Sequence, residues 1–299
     1  MFKKAVPFFI KIITPLHAGT GQELGIVDLP IQRERHTGLP KIESSGVKGS
    51  IREVFREAFP EEKEKIEVAF GPEENPQHAA TLGFTEARLL LFPVKSAMGI
   101  FALTTCPMVL RRLKRELSLP GVSLGKPVPA IPDENTVGEN SSLLLQYGQG
   151  EKAVVLEEFT FKVKEDEKTT QFAAWLKGYA GVEEAPQRLV VLPDDDFKTL
   201  VNLTTEVITR IKIEPETGTV KEGALFTEEF LPSETVLYSL ALATPLSFQQ
   251  VREHFPGNTP EEVADSILNF FLKIPSFIQI GGDATIGKGI VQIIRGGGQ

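Results

Sequence analysis

Three stretches of this sequence carry residue types at spacings suited to chemistry on phosphate. Gly281-Gly282-Asp283-Ala284-Thr285-Ile286-Gly287-Lys288-Gly289 reads GxxxxGKG from Gly282, one residue away from the phosphate loop of nucleotide hydrolases. That chemistry needs Ser or Thr after the lysine to hold magnesium, and a helix N-terminus facing the phosphates. Gly289 takes that place here, and β-branched residues continue as a strand. Two readings survive: a glycine-rich turn that brings backbone amides against a phosphodiester with Lys288 alongside, or a tight turn that only packs. The second stretch begins at Ser44-Ser45-Gly46-Val47-Lys48-Gly49-Ser50-Ile51-Arg52. Its Val47, Ile51, Val54, Phe55 and Ala58 recur at helical spacing, with the serines placed to cap the N-terminus. Lys48 and Arg52, one turn apart beside free helix N–H groups, suit bound phosphate as well as a solvated basic stripe.

The third stretch joins His17 and His36 to Asp28, Arg33 and Arg35 on one long connecting segment. An acid, a histidine and arginines can assemble around a scissile phosphate, although composition alone favours loop histidines that are merely solvated. Asp194-Asp195-Asp196 and Gly282-Asp283 invite a two-metal carboxylate reading. The triplet, however, follows a strand and opens a helical pattern, where aspartate is an ordinary N-terminal partner. Cys106 is the one cysteine, so no intramolecular disulfide forms, and with four scattered histidines it cannot build a Cys/His zinc cluster.

The elements that must position these residues alternate along the chain. Val6, Phe8, Ile10 and Ile12 read as one face of a first strand rather than a signal peptide, because Pro7 and Lys11 interrupt the apolar run. Strands are expected at 88–94, 99–103, 159–163, 189–192, 236–242, 277–280 and 290–294. Helices are expected from Ser45, over 60–70, after a cap at Thr105 and Pro107, over 168–179, from Asp194, over 248–255 and over 260–274. Segments 207–213 and 219–226 flank Pro215-Glu216-Thr217-Gly218 as a hairpin. No fixed-period repeat is detectable, and the Pro/Gly-rich stretch at about 118–140 reads as a surface insertion. This order suits an α+β protein with helices on one face of a largely antiparallel sheet.

Composition bounds the rest. The 299 residues are 41% hydrophobic and 24% charged, which excludes a disordered or collagen-like chain. No run of about 18 apolar residues exists to span a membrane, and a reducing, cytoplasmic home is expected. A net charge of −8 argues against nucleic-acid binding by bulk charge. Yet residues 88–115 contain Arg88, Lys95, Arg111, Arg112, Lys114 and Arg115 and no acid, an asymmetry suited to one anionic groove.

The strings LHAGTG, LGIVDLPIQRERHTGLPKIESSGVKGSIRE, ARLLLFPVKSAMGIFALTTCP, VITRIKIEPETGTVKEGALFTEEFLP and IGGDATIGKG occur in this order. Together they resemble the repeated backbone subunit of type III-B (Cmr) CRISPR-Cas effector complexes, of the RAMP superfamily, from residue 5 to about 294. The resemblance implies a single domain over 1–299 with a ferredoxin-like, RRM-related RAMP core and an inserted β-hairpin thumb at about 207–236. It implies copies side by side along a CRISPR RNA, with other Cmr subunits, cutting guide-paired single-stranded target RNA at regular intervals in antiviral defence. It further implies that Asp28 is the cleavage residue and a ligand or orienter of Mg²⁺ or another hard divalent cation. His17 and one of Glu228 and Glu229 would lie near the same site. Ser45, Lys48, Gly49 and Arg52 match the guide-contacting helix start, and Gly281, Gly282, Gly287, Lys288 and Gly289 match the glycine loop. Glu214 stands where aspartate is more usual. The alternatives are a RAMP scaffold that binds guide RNA without cutting and a stand-alone nucleotide-using enzyme built on the glycine loop.

Overall fold

The computed structural model describes residues 2–21, 27–72, 79–148, 150–214, 216, 220–245 and 251–297. The expected turn at 215–218, apart from Glu216, and the start of the expected helix over 248–255 lie outside the described residues. In chain order the strands are β1 (Lys4–Ile12), β2 (Lys41–Ile42), β3 (Leu82–Phe84), β4 (Ala87–Lys95), β5 (Phe101–Thr105), β6 (Thr136–Val137), β7 (Leu145–Tyr147) and β8 (Glu151–Leu156). They continue with β9 (Phe159–Lys162), β10 (Lys164–Glu165), β11 (Leu189–Val191), β12 (Glu206–Ile213), β13 (Val220–Phe230), β14 (Val236–Ala243), β15 (Phe277–Gln279) and β16 (Ile290–Arg295). The helices are α1 (Ser44–Ala58), α2 (Lys63–Phe70), α3 (Pro107–Leu117), α4 (Glu167–Ala180), α5 (Ala185–Arg188), α6 (Asp194–Leu203) and α7 (Pro260–Phe271).

The centre of the main sheet runs β4-β14-β1-β16, every pair antiparallel. With α1 between β1 and β4, and α7 between β14 and β16, this is the β-α-β-β-α-β order of a ferredoxin-like core. Everything from Ser96 to Thr235 is inserted between the core's second and third strands. The insertion extends the sheet beyond β4 through β5, β11, β6 and β10, adds the small sheet β7-β8-β9, and ends in the hairpin β12-β13. β7 and β8 are not expected from the sequence pattern, because their short segments flank a glycine-containing turn without sustained alternation.

β1 explains the layering. Adjacent strand residues face opposite sides of a sheet, and both Phe8 and Phe9 are fully buried. Phe8 packs against Phe271 of α7, centroids 5.2 Å apart, whose neighbour Phe270 lies 4.9 Å from Phe55 of α1. Phe9 meets Trp175 and Tyr179 of α4 from the insertion at 6.4 and 6.0 Å. Helices therefore cover both faces, not one, and each buried phenylalanine contributes about 1.5–3 kcal/mol. The stretch at 118–140 is anchored to this core: Ala5 N–H donates to Gly121 O (2.8 Å), Ser123 N–H to Ala5 O (2.9 Å), and Val122, Leu124, Val128 and Ile131 pack inward.

Two local expectations are corrected. Ser44 and Ser45 lie inside the first turn of α1, with Glu43 at the N-cap and no side-chain cap. For α3 the N-cap is Cys106 rather than Thr105, and Pro107 opens the helix as expected.

Candidate functional site

The base of the hairpin β12-β13 organises the site. In β13, Thr227 and Glu229 face one side and Glu228 the other. The segment carrying Asp28 lies beside β13, with Leu29 N–H donating to Thr227 O and Glu229 N–H to Leu29 O, both at 3.0 Å. Asp28 is exposed, and its Oδ2 accepts from the Thr227 backbone N–H (2.7 Å) and hydroxyl (2.8 Å). The Asp28 N–H returns a bond to Thr227 Oγ1 at 3.0 Å. The Thr227 backbone bond first, then its hydroxyl, holds the Asp28 carboxyl below the usual carboxylate range, so the group is an ionised acceptor fixed in place.

His17 follows β1 and reaches the same strand. Its Nδ1 lies 2.7 Å from Glu229 O. A carbonyl only accepts, so Nδ1 carries the proton and Nε2 is left for chemistry. Nε2 sits 3.7 Å from Glu228 Oε1, and the ring edge rests on Phe230, centroids 5.7 Å apart. Burial, then the neighbouring Asp283 carboxylate, push the Glu228 carboxyl up, while His17 and Arg210 pull it down. Arg210 Nε donates to Glu228 Oε2 at 2.7 Å.

Glu229 does different work. Its Oε1 accepts from Arg33 Nη2 (2.5 Å) and Thr205 Oγ1 (2.8 Å), and its Oε2 from the Ile31 N–H (3.0 Å). Both oxygens are engaged, so this carboxylate pins residues 31–33 to the hairpin. A second buried pair holds the next turn: Arg112 Nη1 donates to both Glu34 oxygens at 2.8 Å, a link whose rupture costs about 3–5 kcal/mol.

A cleft of about 380 Å³ opens beside His17, lined by Gly46, Gly49 and Ser50 of α1 and by Gly281 and Gly282. Gly281 sits at φ +86°, and a Cβ there would lie 2.3 Å from His17 O. Only glycine allows this approach, which Gly282 N–H closes with a 3.0 Å bond to His17 O. Lys288 Nζ stands 4.8 Å over the Phe230 ring. α1 has no acid in its first turn; its Gly49 is exposed and lines this cleft, Ser45 is exposed, and Lys48 and Arg52 are half-buried, Arg52 lining a separate hollow with Arg56 and with Lys63 of α2. Burial, then the charge of Arg52, lower the Lys48 pKa, so the pair favours an anion beside it.

The structure thus brings His17, the glycine loop and Gly46, Gly49 and Ser50 of α1 to one cleft, with Glu228 3.7 Å from the imidazole. Asp28 lies along the same hairpin, bonded to Thr227 rather than to His17. Arg210, Thr227 and the Arg210 pairing of Asp283 were not legible in the sequence, since each depends on hairpin register. Half of the basic block at 88–115, expected to suit an anionic groove, is engaged in ion pairs. Arg88 pairs with Glu86 and Glu116 at 3.3 and 3.0 Å, Arg111 with Asp194 at 3.3 Å, and Arg112 is buried on Glu34. Asp194 also accepts from the Met108 N–H (2.9 Å), tying α6 to α3. His36 is exposed and does not line the cleft.

Among the described residues no group of three or more His, Cys, Asp or Glu side chains is placed to hold a metal ion. What Asp28 offers is one exposed, ionised carboxylate, which fits the small protein share of a hard cation otherwise held by water and phosphate oxygens. Among the described residues no helix is long and apolar enough to cross a membrane.

Cys106 is buried, and its thiol is pushed up to about 12, first by desolvation. Thiolate is the reactive form, so the native protein at pH 8 is expected to resist a thiol reagent for hours and to react within minutes once denatured. Stoichiometric labelling of the folded chain would contradict this environment.

Comparison with known proteins adds kinship to this geometry. The RAMP superfamily family model matches residues 9–292. The CRISPR system Cmr endoribonuclease Cmr4 of Pyrococcus furiosus is 37% identical over 289 residues, spanning 94% of this chain and 92% of the relative. The CRISPR system CMR subunit Cmr4 of Saccharolobus solfataricus is 27% identical over 312 residues, spanning 96% and 95%. The crystal structure of oligomeric Cmr4 from Pyrococcus furiosus is similar over 98% of both chains, with a TM-score of 0.73 and 30% identity.

Proposed function

Because this chain belongs to the RAMP superfamily and is a Cas7-like homologue of Cmr4, we propose that it is a guide-RNA-binding backbone subunit of a type III-B effector complex that also cleaves the target RNA. Its partners are CRISPR RNA, guide-paired single-stranded target RNA, further copies of itself and the other Cmr subunits. The observation that supports the cleavage reading is the fixed, ionised Asp28 bonded to Thr227 of the strand that also carries Glu228, the partner of His17, with His17 lining a cleft edged by the glycine loop and α1.

RNA carries its own nucleophile, so the protein has only to splay a nucleotide, align its 2′-hydroxyl with the adjacent phosphorus and manage two protons. Asp28 accepts or orients the 2′-hydroxyl proton. His17, its Nδ1–H committed to Glu229 O, uses Nε2 for proton exchange, with Glu228 stabilising the charged imidazole. The products are a 2′,3′-cyclic phosphate and a 5′-hydroxyl. Mg²⁺ or a similar hard cation, held in part by Asp28, would neutralise charge building on the phosphate.

Guide binding belongs to α1 and the glycine loop. The double change Lys48→Ala and Arg52→Ala is expected to weaken guide binding at every backbone copy and to lower the salt slope by about one per lost phosphate contact. Titration of labelled guide at several salt concentrations measures this; an unchanged slope places the phosphate track elsewhere. The overall reading is tested by purifying the native protein and asking for a bound short RNA of constant 5′ end, then for cleavage by the assembled complex. RNA of constant 5′ end without any cleavage would favour a guide-binding scaffold. Nucleotide binding by the isolated subunit, with no RNA, would favour a nucleotide-using enzyme.

A further inference from the structure

Arg210 belongs to none of the residues to which the reading above gives a role, yet it joins the hairpin to the glycine loop. It lies on β12 two residues beyond Ile208, the cross-strand partner of Glu228, and so shares a face with Glu228. Its guanidinium bridges two carboxylates from elements far apart in sequence. Nε donates to Glu228 Oε2 at 2.7 Å, while Nη2 donates to Asp283 Oδ2 at 2.8 Å and Nη1 to Oδ1 at 3.4 Å. The same group sits 5.6 Å over the buried Phe230 ring. Asp283 is in the left-handed region at φ +64°, and its carbonyl accepts from the Ile286 and Lys288 N–H groups, which shapes the rest of the glycine loop.

A planar fork can hold two carboxylates at fixed angles, which a lysine ammonium on a flexible stem does not do. With Arg210 in place, the Glu228 carboxylate has one oxygen engaged and the other turned toward His17 Nε2. The loop is tied a second time where Gly282 N–H meets His17 O, so its position and that of the imidazole are set together.

We propose that Arg210 and Asp283 are positioning residues for target-RNA cleavage, a clasp that fastens the hairpin to the glycine loop and aims Glu228 at His17. The inference rests on the reading that His17 and Glu228 handle the proton. It adds that the guide-bearing loop and the cleaving pair are mechanically one unit.

The test compares Arg210→Gln, Arg210→Lys, Asp283→Asn and the double variant Arg210→Gln with Asp283→Asn, in complexes assembled with guide and all other subunits. Asp283→Asn is nearly isosteric, and asparagine tolerates the left-handed conformation, so this variant retains the fold even where loss of Arg210 destabilises it. Single-turnover cleavage at saturating target is expected to fall about 10–100-fold for both Arg210 variants and about 5–10-fold for Asp283→Asn, with guide affinity within about twofold of the parent. The double variant is expected to be no slower than Arg210→Gln alone, because residues acting as a unit lose their effect once. Fully additive losses, or guide affinity falling in step with the rate, would overturn the clasp. Unchanged rates in all four variants, with Asp28→Asn inactive, would overturn the clasp and leave the cleavage assignment standing. A fully active Asp28→Asn complex would overturn that assignment and this inference with it.

Discussion

Asp28→Asn is expected to lower target cleavage by the assembled complex about 10²–10⁴-fold, the range for losing a positioned acid–base group, while guide and target binding change less than about twofold. The separation follows from the site: Asp28 is exposed and, among the described residues, bonds to Thr227 of the hairpin, whereas affinity is spread along many phosphates. Asparagine keeps the shape and still accepts through its amide oxygen from the Thr227 N–H, so lost activity reports charge rather than folding. Thr227 sharpens the test. Its hydroxyl is one of the two bonds that keep the Asp28 carboxyl below the ordinary range. A lowered carboxyl stays ionised as pH falls and is lost only below its shifted value, so cleavage should persist into mildly acidic solution. Thr227→Val should move that acid limb up, toward an ordinary carboxylate, and Thr227→Ser should restore it. Cleavage at the parent rate by the Asp28→Asn complex would remove Asp28 from the mechanism.

The second large effect concerns the nucleophile. Cys106, the one cysteine, is no ready nucleophile, since it is buried and its thiol is pushed up to about 12. Replacing only the 2′-hydroxyl immediately 5′ of one scissile phosphate with hydrogen is therefore expected to erase the cut at that phosphate. Cuts at neighbouring intervals should continue at their normal rate, because in the proposed function each backbone copy would work on its own phosphate and the deoxy sugar leaves phosphate contacts intact. Chelation of divalent cations, by contrast, should slow every position together. Gel analysis of end-labelled target resolves both patterns. Persistent cutting at the deoxy position with a 5′-phosphate downstream would mean that water attacks, and would call for a carboxylate site other than the one built on Asp28.

What the sequence made legible was mostly local. The alternation of Val6, Phe8, Ile10 and Ile12 marks β1, and the helical spacing of Val47, Ile51 and Phe55 marks α1. Segments on either side of Pro215–Gly218 pair as the hairpin β12-β13. The layering was not legible, because nothing in the run around Phe9 says that α4, more than 150 residues later, will cover the second face. Charge was misleading for a related reason. The acid-free block at 88–115 meets its counter-ions only in three dimensions, when Glu34, Glu86, Glu116 and Asp194 fold against it. In the candidate site, residue types alone favoured solvated loop side chains and it was the family resemblance that singled out Asp28 and His17, while the different surroundings of Glu228 and Glu229 are a matter of strand parity. Glu228 faces His17 and Arg210 and its neighbour staples a loop, a distinction fixed only once register is known.

The insertion between β4 and β14 leaves and re-enters the core at neighbouring points, since Leu91 and Val236 are paired across the sheet. Closing even a long excursion between adjacent ends costs only slowly more as it lengthens. The ferredoxin-like frame, with the helix α4 that covers Phe9, can thus serve as a socket, and the hairpin and the small sheet as a cartridge. Descendants of such a chain are free to lengthen, shorten or exchange the cartridge while the socket keeps its shape, so that new chemistry can arise without the frame having to be reinvented.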